Sequence, residues 1–248
     1  MISECEPVKF LNEFLSIDDV DDDAVNGIQV DSTASPDRIA FAVDARRDVI
    51  ERAVDFDLLV VHHGLFWGDL EKVTGRFYDL ISACVKNDLG LYSAHLPLDI
   101  HPKIGNNVLL AEAVGAVPEE TFMEYRGTEV CLMASFDEPT SVEDICDRLE
   151  GVTKEKAFVH LPDKKVQTAA IMTGKGGIAL SSADELGAEL FITGERSYMT
   201  YNLAVDLKMP VIFGGHHATE TFGIKELMMV VENEFHIDCK FLEASSPI

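Results

Sequence analysis

Six of the eight histidines in this chain, His62, His63, His95, His101, His216 and His217, fall in three short segments. Imidazole is the commonest protein ligand for a transition metal, and a nearby carboxylate adds a hard oxygen donor. The first segment reads Leu58-Leu-Val-Val-His62-His63-Gly64, an apolar run followed by two imidazoles. Neighbouring side chains on a strand point to opposite faces, but where the strand ends and the backbone turns they can address two different ions. Gly64 would permit that turn. The second segment, Tyr92-Ser-Ala-His95-Leu-Pro-Leu-Asp99, pairs an imidazole with a carboxylate four positions later, in a loop that Pro97 holds extended. Asp99 is the donor expected there, and His95 could ligate the same ion or support it from behind. His101, just before Pro102, is given a supporting role or none. The third segment is Phe213-Gly-Gly-His216-His217-Ala-Thr-Glu220. A helix starting near His216 places His216 and Glu220 on one face at i and i+4, with His217 pointing away. Glu220, with two oxygens, is the natural bridge between two cations.

Each segment alone has an ordinary reading as a capped strand, a loop or an acidic first helical turn. Their coincidence is harder to explain that way. His62, His63, His95, Asp99, His216 and Glu220 together suit two divalent ions with positions left open for water and substrate, which is an arrangement for hydrolysis. A nitrogen and oxygen donor set without thiolates fits zinc, iron, manganese, cobalt or nickel, with zinc and iron leading. The run Thr173-Gly174-Lys175-Gly176-Gly177 could hold an anionic part of a substrate, although it lacks P-loop spacing and reads equally as a plain turn. Thr193-Gly194-Glu195 could bring Glu195 towards the same place, or leave it as an acid at a helix start. The acidic run at residues 18–23 lacks the glycine and terminal glutamate of a calcium loop and reads as a solvated loop.

The elements expected to position these residues alternate short apolar runs with amphipathic ones, the pattern of βα units feeding a mainly parallel sheet. Strands are expected at 39–43, 57–61, 91–94, 129–135, 156–160, 167–172, 189–193, 211–213 and 238–242. Helices are expected at 46–54, 76–87, 106–114, 141–149, 179–186, 198–207 and 224–234. The histidine segments then follow strands, and ligands of open α/β sheets bind beyond the carboxyl ends of strands. Residues 114–127 break the periodicity, so a domain boundary is expected there.

Composition narrows the class further. The 248 residues allow one large or two modest domains. Five cysteines, odd in number and without CxxC spacing, give neither a disulfide framework nor a thiolate cage, and fit a reducing, cytoplasmic interior. No secretory start and no membrane-length apolar run is present. A net charge of -24 argues against nucleic-acid binding and is compatible with a high-salt interior.

Taken together, Asn26-Gly-Ile-Gln-Val30, Val61-His-His-Gly-Leu-Phe-Trp67, Ala94-His-Leu-Pro-Leu-Asp99 with Gly105-Asn-Asn107, Thr173-Gly-Lys-Gly-Gly177, Ile192-Thr-Gly-Glu195 and Gly215-His-His-Ala-Thr-Glu220 resemble, in order and over nearly the whole chain, the GTP cyclohydrolase I type 2 homologues, also called NIF-three-like or dinuclear-metal-centre proteins. The resemblance implies two α/β lobes with largely parallel sheets and a dinuclear site in the cleft between them, here 1–118 with 209–248 and 119–208. It implies His62, His63, Asp99, His216 and Glu220 as ligands of two ions, Glu220 touching both, with His95 a ligand or a close neighbour. It also implies a ring-shaped homohexamer and hydrolytic opening of the guanine imidazole ring of GTP with loss of formate. Two departures stand out: many relatives have proline where this chain has Gly64, and histidine often follows Glu195 where this chain reads Arg196-Ser-Tyr198. Two other functions remain open, a metal-dependent phosphoesterase and a non-enzymatic metal-binding regulatory scaffold.

Overall fold

The computed structural model describes residues 1–68 and 72–244. Along the chain come α1 (Glu6–Phe14), β1 (Gly27–Val30), β2 (Arg38–Asp44), α2 (Arg47–Arg52), β3 (Leu58–His63), α3 (Arg76–Lys86), β4 (Gly90–Ser93) and the single turn α4 (Leu96–Asp99). Next are α5 (Asn106–Ala113), β5 (Val117–Tyr125), β6 (Thr128–Ser141), α6 (Val142–Thr153), β7 (Phe158–His160) and β8 (Lys165–Met172). The chain continues through α7 (Leu180–Glu185), β9 (Leu190–Thr193), α8 (Tyr198–Leu207), β10 (Val211–Phe213) and α9 (His216–Thr219), and finishes with α10 (Thr221–Phe235) and β11 (Asp238–Phe241). No helix among the described residues is long and apolar enough to cross a membrane.

These elements form two compact units. The first holds Met1–Leu98 and Gly223–Ala244, the second Asp99–Phe222, so the chain changes unit inside α4 and again inside α10. The sequence reading grouped residues 99–118 and 209–222 with the first lobe; here they belong to the second unit.

In the first unit the strand order is β1-β4-β3-β2-β11. The three pairings among β4, β3, β2 and β11 are parallel, and β1 is antiparallel to β4. Ile39–Val43 and Leu58–Val61 are continuous apolar runs because both faces of these strands are covered; every one of those residues is buried. Ala40, Ala42, Leu59, Val61 and Leu91 pack with Val49 and Ile50 of α2 and with Leu80 and Cys84 of α3. The outer face of α3 exposes Arg76, Asp79 and Lys86 together with Tyr78 and Val85.

The second unit carries six strands in the order β5-β6-β8-β9-β10-β7. Here the expectation of a largely parallel sheet needs correction. Only β8-β9 and β9-β10 are parallel, while β5-β6, β6-β8 and β10-β7 are antiparallel. Residues 117–125, read as a break because of Pro118 and two glutamates, form the edge strand β5, where proline is tolerated because one side of the strand has no ladder to fill. α6 starts where Ser141 predicts: its Oγ accepts from the amide of Asp144 at 3.0 Å.

Candidate metal centre

In the first unit three adjacent parallel strands end side by side, and each contributes a polar side chain. β3 does not stop ahead of its histidines as expected; His62 and His63 are its last two residues. β2 ends at Asp44, whose register partner on β3 is His63, and β4 leads through Ala94 to His95. The ligand nitrogens of His62, His63 and His95 lie within 4.8 Å of one another. The ring centroids are 4.6 Å apart for His62 and His63 and 5.1 Å for His62 and His95.

All three rings are held by the same nitrogen. His62 Nδ1 donates to the carbonyl oxygen of Ala94 at 2.9 Å, His63 Nδ1 to Asp44 Oδ1 at 2.8 Å, and His95 Nδ1 to both carboxylate oxygens of Asp22 at 3.0 Å. A proton fixed on Nδ1 by a carbonyl or carboxylate makes Nε2 the coordinating nitrogen, and metal-binding histidines are nearly always oriented this way. Donor chemistry and ring orientation therefore both fit a transition-metal ion.

Asp22 and Asp44, which hold two of these rings, are residues that the sequence reading missed. Asp22 lies in the acidic run taken as solvated, yet its side chain is only 2% exposed. Besides His95 it accepts from Asn26 Nδ2 at 2.9 Å and from the amides of Leu96 and Ala24 at 2.9 and 3.1 Å. Burial alone would raise its pKa, but the bonds from His95, Asn26 and Ala24 outweigh burial and hold the carboxyl well below the usual carboxylate range. Asn26 closes the network by accepting the amide of His95 through Oδ1 at 2.8 Å. Pro97 does not hold an extended loop; it sits in the first turn of α4, where a missing N–H is harmless.

The sharp bend after His63 depends on Gln29. Its Oε1 accepts the amides of Leu65 and Phe66 at 2.6 and 3.2 Å, and its Nε2 donates to the carbonyl of Val25 at 2.7 Å. A Cβ at residue 64 would stand 2.4 Å from that amide, so Gly64 is needed for close approach of a side chain. Trp67, 38% exposed, donates its Nε1 to the carbonyl of Gly64 at 2.9 Å and meets His95 edge-on with ring centroids 4.8 Å apart.

The second unit repeats this plan at the ends of its own parallel strands β8, β9 and β10. Their continuations are Thr173-Gly174, Gly194-Glu195 and Gly214-Gly215-His216. Thr219 Oγ1 ties the first to the third, accepting from the amide of Gly174 at 3.2 Å and donating to the carbonyl of Gly215 at 2.9 Å, while the amides of Glu195 and Gly215 bond the carbonyls of Gly174 and Gly194 at 2.7 and 3.0 Å. The helix starts at His216 as expected, and the i, i+4 spacing brings His216 Nε2 to 3.3 Å from Glu220 Oε2. His216 Nδ1 is held by Glu195 Oε2 at 3.3 Å. Burial pushes the His216 pKa down, but the two carboxylates prevail and raise it to about 9. Gly174 lies against this pair with φ +56°; a Cβ there would fall 1.8 Å from Glu220 Oε1.

Asp99 is tied into the same unit, its Oδ1 accepting from Asn106 Nδ2 at 2.8 Å and from Thr173 Oγ1 at 3.4 Å. The six expected donors thus sort into two sets, His62, His63 and His95 in one unit and Asp99, His216 and Glu220 in the other. His217 is buried. His101 Nδ1 accepts the amides of Lys103 and Ile104 at 3.2 Å and so shapes its own turn. Lys175 of the glycine-rich run is exposed.

The chain matches the family model described as Duf34/NIF3 (NGG1p interacting factor 3) over residues 5–247. It is 39% identical, over 96% of its length and 97% of the relative's, to a protein of Pyrococcus abyssi named GTP cyclohydrolase 1 type 2 homolog. Among solved structures it is similar to the protein ybgI, of unknown function, with a TM-score of 0.91 and 29% identity over 98% of each chain. It is also similar to TTHA1606 from Thermus thermophilus, with a TM-score of 0.85 and 30% identity over 98% of each chain. The motifs that carry the resemblance are those that build the two donor sets and the turns behind them, and the chain belongs to the Duf34/NIF3 family.

Proposed function

We propose that this protein is a metal-dependent hydrolase acting on a nucleotide, with two divalent ions held by His62, His63, His95, Asp99, His216 and Glu220. The observation that carries this reading is the anchoring of His62, His63 and His95 through Nδ1 to a carbonyl, to Asp44 and to Asp22. A structural histidine cluster has no need for three rings fixed in the same tautomer. Bound ions would supply Lewis-acid activation of water and polarisation of the group it attacks. Asp22, Asp44 and Glu195 keep their imidazoles oriented, and Glu220 offers two oxygens, the form suited to bridging. The substrate class comes from the name of the relatives, with GTP as the first compound to test, and the assembly expected is a homohexamer.

Elemental analysis of the purified protein beside a His63→Ala, Glu220→Ala double variant tests the site, and incubation of the zinc-, iron- or manganese-loaded protein with GTP tests the chemistry. About two ions per chain, lost in the variant, with metal-dependent formate release support the reading. Release of inorganic phosphate instead of formate would make the protein a phosphoesterase. Absence of metal after repeated reconstitution would overturn the proposal.

A further inference from the structure

The segment Arg196-Ser-Tyr198 walls an open groove of about 340 Å³ together with Phe158 and Tyr201. We propose that this groove holds the planar base of a purine nucleotide, an inference that rests on the nucleotide-hydrolase reading and assigns the place of the substrate's base next to the His216–Glu220 pair.

Placement is the first argument. Arg196 directly follows Glu195, whose carboxylate holds His216 Nδ1. Phe158 on β7 is the register partner of Phe213, the last residue of β10 and three positions ahead of His216. The groove and the His216–Glu220 pair are therefore built from the same strand ends of the second unit, the usual position of ligands in α/β sheets.

The lining is the second argument. Phe158 and Tyr201 meet edge to face with centroids 5.8 Å apart, and Arg196 Cζ stands 4.5 Å over the Phe158 ring. Tyr198, at the start of α8, is 82% exposed, which leaves its ring face open to stacking. A volume of this size lies at the lower end of small-molecule sites and suits one base better than a whole cofactor. Aromatic faces stack on any nucleobase, and a guanidinium fork is the partner that fits the O6 and N7 acceptors of guanine. In a chain of net charge -24, a cation beside three aromatic rings also offsets the general repulsion of an anionic ligand.

The test is calorimetric titration of GMP, and of ribose 5-phosphate as a probe without a base, into the full-length protein, both chelator-treated and zinc-loaded. Tyr198→Ala and Arg196→Gln alter exposed side chains, and their metal content and thermal unfolding are measured alongside. Each variant is expected to weaken GMP about tenfold while leaving ribose 5-phosphate, zinc content and unfolding unchanged. GMP binding equal in variants and parent, or absent in the parent, would overturn the proposal. So would a change of mass by light scattering in the variants with GMP affinity intact, which would make this face a contact between copies of the chain. Zinc content and hydrolysis are read separately, so intact hydrolysis with unaltered GMP binding would sink this inference alone, whereas loss of the metal site would sink the hydrolase reading.

Discussion

Protons and metal ions should compete most visibly at His216. In the metal-free protein its pKa is raised to about 9, because Glu220 and Glu195 more than offset the effect of burial. At pH 7 such a ring is about 99% protonated, so an ion that needs its nitrogen must displace a proton and binds about 100-fold more weakly than above pH 9. Zinc affinity should therefore rise about tenfold per pH unit from 7 towards 9 and then level off. The stability of the metal-free protein should move the other way. A folded pKa above the unfolded value contributes stability that is complete below about 6.5 and lost as pH rises through about 9. Glu195→Gln removes one of the two carboxylates, so the plateau should begin at lower pH. Calorimetric zinc titrations in buffers of different ionisation enthalpy count the protons released at each pH. His216→Ala should release about one proton fewer at pH 7.5. Zinc affinity that stays flat between pH 7 and 9, or equal proton release in the parent and His216→Ala, would refute the reasoning.

Asp44→Asn leaves the fold in place, since Asp44 is a partly exposed strand end, but should lower metal affinity about 10- to 100-fold with unchanged far-UV circular dichroism; unchanged affinity would remove Asp44 from the site. Gly64→Ala forces the Gln29 amide away and should destabilise by about 1–3 kcal/mol in urea. In a Gln29→Ala background the same change should cost much less, and strict additivity would show that Gln29 is not what excludes a Cβ. Trp67, the single tryptophan, lies against His95, so its emission should fall on adding cobalt and should no longer do so in His95→Ala. A steady emission across the titration would place no ion at the His62, His63, His95 cluster.

The candidate donors stand out in the sequence because they sit on motifs with local spacing, such as two adjacent imidazoles after an apolar run, or His216 and Glu220 one helical turn apart. Their supporting residues were less legible. Asp44 could have been found, since it ends a strand that the apolar run 39–43 already marked, and parallel pairing with β3 sets it opposite His63. Asp22 could not, because its meaning depends on His95, 73 positions away, and an acidic run is ordinarily solvated. Strand β5 escaped for a related reason. Its exposed edge position leaves Pro118 and its glutamates without the apolar alternation by which strands are recognised.

Strand direction explains why the second sheet can be mostly antiparallel and still carry His216 and Glu220. A crevice of side chains forms only where neighbouring strands end on the same side, which needs parallel neighbours. In the second unit that condition holds for β8, β9 and β10 alone; Thr219 joins the continuations of β8 and β10 behind His216 and Glu220, and backbone bonds join that of β9 to both. The first unit meets it with β2, β3 and β4, which deliver Asp44, His62 with His63, and His95. The antiparallel strands β5, β6 and β7 contribute none of the six donors, and β7 instead brings Phe158 to the outer edge beside β10. Donors and groove thus follow from one rule of sheet geometry, and that rule makes Arg196 and Tyr198, which follow the end of β9, a specificity element where the sequence alone showed only a departure from the family pattern.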